Sequence, residues 1–218
     1  MRLPIRIEIA PPGTTVDNVS QEIFIVKRED KSRLLEKILT EYKGSALVFT
    51  RTKHGAKKIA RFINTLSHRS AELHGNRSLN QRKEALEGFK TGKYRVLVAT
   101  DIAARGIDVT NIELVINYDL PQVAEDYVHR IGRTARAGAG GHAISFARPN
   151  ESNDVRSIER LIRKILPISK LPVLPPPLQH KPQAPASRPQ QSGFNRGGEN
   201  RRFEEKKYTH PPSRFFKR

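Results

Sequence analysis

The stretch Tyr94-Arg95-Val96-Leu97-Val98-Ala99-Thr100 runs directly into Asp101-Ile102-Ala103-Ala104-Arg105-Gly106. Four consecutive aliphatic side chains leave no polar face, which predicts a strand over 94–100 covered on both sides, the setting of a parallel sheet. Similar short runs recur at Glu22–Val26, Ser45–Thr50, Ser70–His74, Leu114–Asp119 and His142–Ala147. Amphipathic segments separate them. Lys31–Tyr42 stops near Gly44, and Gly55–Leu66 carries Ile59, Phe62 and Ile63 on one side. Pro121 opens a helix bearing Val123, Tyr127 and Val128, and a last helix over 153–166 stops at Pro167. Ser78-Leu79-Asn80-Gln81 reads as a capping box opening a helix that buries Leu79, Ala85, Leu86 and Phe89. Strands alternating with helices predict an α/β, three-layer domain with a mostly parallel central sheet flanked by helices.

A chain of 218 residues suits one such domain with an appendage. Its net charge of +18 points to a polyanionic partner, because lysine and arginine that neutralise phosphates release counterions. A membrane surface is the rival polyanion. No apolar run is long enough to span a bilayer, and no signal-peptide pattern is present, so a cytoplasmic protein without membrane contact is expected. There is no cysteine, and His54, His68, His74, His129 and His142 show no paired ligand spacing, so no structural metal is expected.

Both ends differ from the middle. Residues 1–20 include Pro11-Pro12-Gly13 after a short extended piece and read as a linker remnant, as though taken from the interior of a longer protein. Residues 21–168 form the domain. From Leu171 onward nine of the fifteen prolines crowd together with glutamine, serine, glycine and charge, so residues 169–218 are expected to be a disordered basic tail. Residues 171–218 carry +7 from ten Lys/Arg against three Glu, which leaves residues 1–170 basic on their own account. Aromatics alternate with cations in it, at Phe194-Asn195-Arg196, Arg201-Arg202-Phe203, Lys206-Lys207-Tyr208 and Arg214-Phe215-Phe216, a composition that can track phosphates and stack on bases.

In open parallel sheets ligands lie beyond the carboxyl ends of the strands, which directs attention to the segments after Thr50, His74, Thr100 and Asp119. Arg51-Thr52-Lys53, Gly75-Asn76-Arg77-Ser78 and Asp101 to Asp108 occupy the first three. Beyond the fourth, Tyr127-Val128-His129-Arg130-Ile131-Gly132-Arg133-Thr134-Ala135-Arg136 sets three arginines at three-residue spacing around a glycine break. Permanently charged, planar guanidinium groups on a rigid turn suit a transferring phosphoryl group. Taken singly, Thr52 and Thr100 read as helix caps, Asp108 as a turn residue, and the arginines as a solvated helix face. No segment reads GxxxxGK[ST]; Gly88-Phe89-Lys90-Thr91-Gly92-Lys93-Tyr94 is one residue short and ends in tyrosine.

Leu47–Lys53 (LVFTRTK), Val98–Val109 (VATDIAARGIDV), Val115–Pro121 (VINYDLP) and Tyr127–Gly138 (YVHRIGRTARAG) occur in the order and at the separations found in DEAD-box RNA helicases. The chain resembles the second, C-terminal RecA-like lobe of that family over about residues 4–168. Its opening segment is most similar to the RhlE-type bacterial subgroup. The resemblance implies arginine fingers at Arg133 and Arg136 that reach the γ-phosphate of ATP, with His129 coupling the site to the other lobe. It implies a ribose contact at Asp108, with Gly106 beside both nucleotide and RNA, and RNA-backbone contacts at Thr52, Arg82, Thr100 and Gly106. His129 stands where DNA-directed relatives carry glutamine, which favours RNA.

Two positions depart from the family pattern. Leu79 occupies a glutamine position, and Ala135 stands where glycine is usual. The nucleotide loop and the Asp-Glu-Ala-Asp motif belong to the first lobe and are absent from this sequence, so Mg2+ is expected to be held mainly by that lobe. The resemblance therefore implies the C-terminal half of an ATP-dependent RNA helicase, a monomer that works with a first RecA-like lobe in cis or in trans and has little ATPase activity alone. The alternatives are a stand-alone, non-catalytic RNA-binding module and a fragment of a DNA helicase.

Overall fold

The computed structural model describes residues 19–105, 112–134 and 140–176. Six strands, β1 (Val19–Ile25), β2 (Ala46–Phe49), β3 (Ser70–Leu73), β4 (Val96–Ala99), β5 (Leu114–Asn117) and β6 (Gly141–Ala147), form one sheet in the order β1-β6-β5-β2-β4-β3. Every pairing is parallel. The helices are α1 (Lys31–Glu41), α2 (Lys53–Thr65), α3 (Leu79–Lys90), α4 (Asp101–Ala104), α5 (Ala124–Ile131) and α6 (Ser152–Ile162). All six expected strands and the parallel, helix-covered architecture are present.

The both-face apolar runs explain the layering. Ala46, Val48, Val96, Val98, Leu114 and Ile116 point to the face covered by α1 and α2. Leu47, Phe49, Leu97, Ala99 and Val115 point to the opposite face, covered by α3, α5 and α6. Each of these residues is at most 2% exposed, which is why no solvated alternation shows in the sequences of the central strands β2, β4 and β5. The capping box forms as its residues predict: Ser78 Oγ accepts from Gln81 N while Gln81 Oε1 accepts from Ser78 N. Within α3, Gly88 leaves room for the Tyr94 ring, which a methyl group would meet at 2.5 Å.

Several expectations need correction. Leu79 is 63% exposed, because the first residue after the cap lies before the α3 face meets the sheet. Pro121 is buried in the loop, and α5 begins only at Ala124, with Val123 exposed at its N-cap. The last helix ends at Ile162, followed by Arg163 in the left-handed region. Residues 19 and 20 belong to β1 rather than to a linker.

The segment after α6 also departs from expectation. Residues 169–176, placed in the tail by composition, lie on the domain. Ile23 N donates to Pro167 O at 3.0 Å and Ser169 N to Ile23 O at 2.9 Å, so residues 167–169 lie as a short parallel addition to β1. Further on, Leu174 packs against the α1/α2 core and Arg33 Nε donates to Pro175 O at 2.6 Å. At the other edge of the sheet, Asn64 satisfies β3: its Oδ1 accepts from Ser70 N at 2.9 Å and its Nδ2 donates to Ser70 O at 3.5 Å. Residues 1–18 and 177–218, which hold most of the expected linker and tail, lie outside the described residues. Among those described, no helix is long and apolar enough to cross a membrane.

Two phenols, the buried Tyr127 and the partly buried Tyr118, make the fold sensitive to alkali. Burial pushes Tyr127 and Tyr118 up to about 12, with Asp119 adding to the effect at Tyr118 and a Ser32 hydrogen bond opposing it. Both values exceed the ordinary value near 10, so the neutral phenols stabilise the fold fully below about pH 10, and that contribution is lost as pH rises through about 12. Each contributes on the order of 2 kcal/mol. Urea midpoints at pH values of about 9 and about 11.5 should therefore fall further for the native chain than for Tyr118→Phe/Tyr127→Phe. Equal falls would rule these residues out as the cause.

Candidate functional site at the carboxyl ends of the strands

The chain crosses from one side of the sheet to the other at β2, which lies between β4 and β5. The carboxyl ends of these three strands therefore open the crevice where parallel sheets bind ligands. Thr50, Thr100 and Asp119 leave the sheet side by side there: Thr50 N donates to Ala99 O at 3.0 Å, and Asp119 N to Phe49 O at 3.3 Å.

Arg130 organises this edge. It is 2% exposed although it belongs to an arginine series. Its Nε and Nη2 donate to the two carboxylate oxygens of Asp101 at 2.6 and 2.8 Å. Its Nη1 donates to Asn117 Oδ1 at 3.1 Å and to Asp119 O at 2.7 Å, while its carbon centre lies 5.0 Å from the Phe49 ring centroid. One side chain thus ties α5 to the first residue of α4 and to the ends of β2 and β5. Sequence reading gave Arg130 no partner. The signal was its position on the buried Tyr127–Ile131 face of the helix, where an arginine must find partners.

Past Arg130 the backbone turns tightly. Gly132 N donates to Val128 O, Arg133 N to Arg130 O, and Thr134 N to Ile131 O. Thr134 is fully buried, and its hydroxyl donates to Ile112 O. Arg133 therefore sits between two buried anchors, Arg130 and Thr134, and is itself half-buried. Thr134 is a second residue that sequence reading missed; nothing in its local pattern marks it. His129 is exposed on the last turn of α5. Arg105, in the loop leaving α4, donates to Asp126 in the first turn of α5 at 3.1 Å.

The β2 loop is pinned as well. Asp119 Oδ2 accepts from Arg51 N at 3.1 Å, while Oδ1 accepts from the buried Lys31 Nζ at 3.2 Å. Arg51 Nη2 donates to Glu151 Oε1 at 3.3 Å, and Arg148 donates to the same oxygen at 2.8 Å. Burial alone pushes Glu151 up, yet the Arg148 hydrogen bonds and nearby Lys31 hold its carboxyl below the usual range. Thr52 is the N-cap of α2, its Oγ1 accepting from Gly55 N at 3.0 Å, and is exposed. The bland and the functional readings of Thr52 coexist, since a capping hydroxyl keeps its proton free to donate. Thr100 is the N-cap of α4 without a side-chain cap bond, so its half-buried hydroxyl is left for another partner. Arg82, on the first turns of α3, has a buried Nε with no partner.

Thr52, Thr100, Arg82, His129 and Arg133 thus all follow the carboxyl ends of strands, on loops or first turns, or on the helix and turn reached from β5. Gly106, Asp108 and Arg136 lie outside the described residues. Among the described residues no group of three or more His, Asp or Glu side chains could hold a metal ion. The donor set is cationic and hydroxylic, which fits the phosphate groups of a nucleotide or of a nucleic-acid backbone.

A family model for the helicase conserved C-terminal domain matches residues 30–138. The ATP-dependent RNA helicase RhlB of Shewanella frigidimarina is 40% identical over 200 residues, covering 88% of this chain and 46% of that protein. The chain thus spans about half the length of the curated relatives it matches. Among solved structures, the Escherichia coli DEAD-box protein SrmB, bound to regulator of ribonuclease activity A, aligns with a TM-score of 0.66 at 30% identity. That match covers 70% of this chain and 91% of the SrmB chain. Saccharomyces cerevisiae Dbp5, bound to RNA and ADP BeF3, aligns with a TM-score of 0.66 at 32% identity, covering 74% of this chain and 44% of Dbp5.

Proposed function

Because the chain belongs to the helicase conserved C-terminal domain family, as a DEAD-box lobe with a RecA-like fold, we propose that it serves as the second lobe of an ATP-dependent RNA helicase. In this reading Arg133 and Arg136 meet the phosphates of ATP bound mainly by a first lobe. Asp108 takes the ribose, and His129 couples the two lobes. Thr52, Arg82, Thr100 and Gly106 hold the RNA backbone, which suits an enzyme acting on many sequences. ATP supplies the phosphoanhydride bond whose hydrolysis drives unwinding; Mg2+ and the attacking water belong to the first lobe.

The observation that carries the reading is the double anchoring of Arg133. A cation whose backbone is held on a tight turn between buried Arg130 and buried Thr134 brings little backbone freedom to lose on meeting a phosphate, which suits electrostatic stabilisation of phosphoryl transfer. A plain RNA-binding surface has no such need. The opening segment supports an RhlE-type placement within the family, although its Shewanella relatives carry the RhlB name. We place the protein in the cytoplasm as a monomer, with the segment beyond residue 176 as an RNA tether.

Steady-state ATPase measurements test the proposal. The 218-residue chain alone should show no RNA-stimulated hydrolysis, and joining a DEAD-box first lobe ahead of Met1 should create it. RNA-stimulated hydrolysis by the chain alone would sink the reading, as would its absence from a folded two-lobe protein.

A further inference from the structure

Helix α2 begins at the candidate edge, with Thr52 as its cap, and runs away from it beside the β3 edge of the sheet. Lys53, Lys57 and Arg61 recur every four residues along it, giving one gently spiralling line with a rise of about 6 Å per step. Lys58 lies next to that line. All four side chains are exposed, and no carboxylate pairs with Lys57, Lys58 or Arg61 among the described residues. Elsewhere on this surface cations do find acids: Lys37 meets Glu41 and Lys93 meets Glu84. Other exposed cations, among them Lys27, Lys83 and Arg156, likewise have no acid partner among the described residues; the α2 line is set apart by its regular spacing and by its start at the candidate edge.

A groove of about 330 Å³ accompanies this line, walled by Lys57, Arg61 and Asn64 on one side and by Arg77, Gln81 and Glu84 on the other. Its two carboxylates are already engaged. Glu72 pairs with Arg77, and Glu84 with Lys93 at 3.2 Å. Lys53 Nζ donates to Asn76 Oδ1 at 3.1 Å, joining the start of the line to the loop after β3. The groove presents Lys57 and Arg61 beside acids that already have cationic partners, and Lys53 carries the line of cations to the edge. An extended polyanion with regularly spaced charges fits it better than a folded acidic surface.

We propose that RNA leaving the strand-end edge continues along α2, its phosphates held by Lys53, Lys57 and Arg61, with Arg77 across the groove. This rests on the reading of the edge as an RNA-backbone site. The consequence is a longer footprint: the lobe grips flanking single strand in addition to the nucleotides over Thr52 and Thr100. Such contacts add affinity and salt dependence without reading sequence.

The whole chain and its Lys57→Gln/Arg61→Gln variant should be compared by fluorescence anisotropy on uridine oligomers of about 5 and about 12 nucleotides, which bracket the span of a single-domain groove. Both substitutions lie on exposed helix positions and preserve helix propensity. The variant should bind the longer oligomer roughly tenfold more weakly, with the salt slope shallower by about 1.4 for two lost phosphates. The shorter oligomer should bind equally to both. Anything beyond residue 176 is common to the two proteins and cancels in the comparison. Unchanged affinity and slope on the longer oligomer would overturn the proposal and leave the stripe to an acidic protein partner. Equal losses on both oligomers would place these cations in the primary contact and overturn the extension. If the native chain binds neither oligomer, the RNA reading of the edge itself fails, and the extension with it.

Discussion

Arg130→Ala is expected to lower the unfolding free energy by about 3–5 kcal/mol, the cost of removing one partner from a buried, hydrogen-bonded ion pair. The lost guanidinium leaves Asp101, Asn117 Oδ1 and Asp119 O without their donor at a site that is 2% exposed. It also opens space against Phe49. For a chain of this size the melting temperature should drop by roughly 10 °C or more. Arg130→Lys keeps the charge but cannot form the two-pronged contact with Asp101, so it should fall between alanine and the native residue. Removing both partners, in Arg130→Ala/Asp101→Ala, should recover part of the loss because no unpaired carboxylate remains. Urea unfolding followed by far-ultraviolet circular dichroism measures all four proteins. A shift within about 0.5 kcal/mol for Arg130→Ala, the range of ordinary surface changes, would show that the network contributes nothing.

Arg133→Ala should behave in the opposite way. In a two-lobe protein its turnover of ATP is expected to fall by about a thousandfold or more, equivalent to about 4 kcal/mol of transition-state stabilisation. Its stability should change little, since Arg133 is half-buried on a turn whose anchors are its neighbours. Arg133→Lys should rescue poorly, because an ammonium offers a point charge where a planar fork is required. RNA affinity measured without nucleotide should be unaltered. A variant that loses RNA affinity and stability in step with turnover would make Arg133 a structural residue. Positions 130 and 133 thus provide a matched pair: the same residue type, three positions apart, with one expected to govern folding and the other catalysis.

That contrast marks the limit of what sequence patterns reveal. Arginines at three-residue spacing look equivalent in a string, yet α5 ends at Ile131, so Arg130 rides the buried helix face and Arg133 rides the turn beyond it. Strands β2 and β4 were legible because each carries four apolar side chains in a row, β1 because residues 23–26 form such a run at its end, and the α3 start because its cap is a local exchange of two hydrogen bonds. Leu79 misled because helical periodicity says nothing about where along its length a helix meets the sheet. Residues 167–176 misled for a different reason. Their prolines predict no regular structure, while their contacts reach Ile23, Arg33 and the α1/α2 core, more than a hundred residues away in the chain. Thr52 and Thr100 were found by topology, since parallel strands must release the chain at one edge, whereas Arg82 on α3 was singled out only by the family resemblance.

The segment that follows α6 and the carboxamide of Asn64 have a joint consequence for the protein in solution. An open parallel sheet has two flanks whose outward amides and carbonyls can recruit another strand and start aggregation. Here Ile23 on β1 has both outward groups taken by Pro167 and Ser169, and Ser70 on β3 has both taken by one side chain. A version of the chain ending before residue 167 would keep every strand of the sheet and still uncover the β1 flank, which would make self-association, rather than unfolding, its first fault.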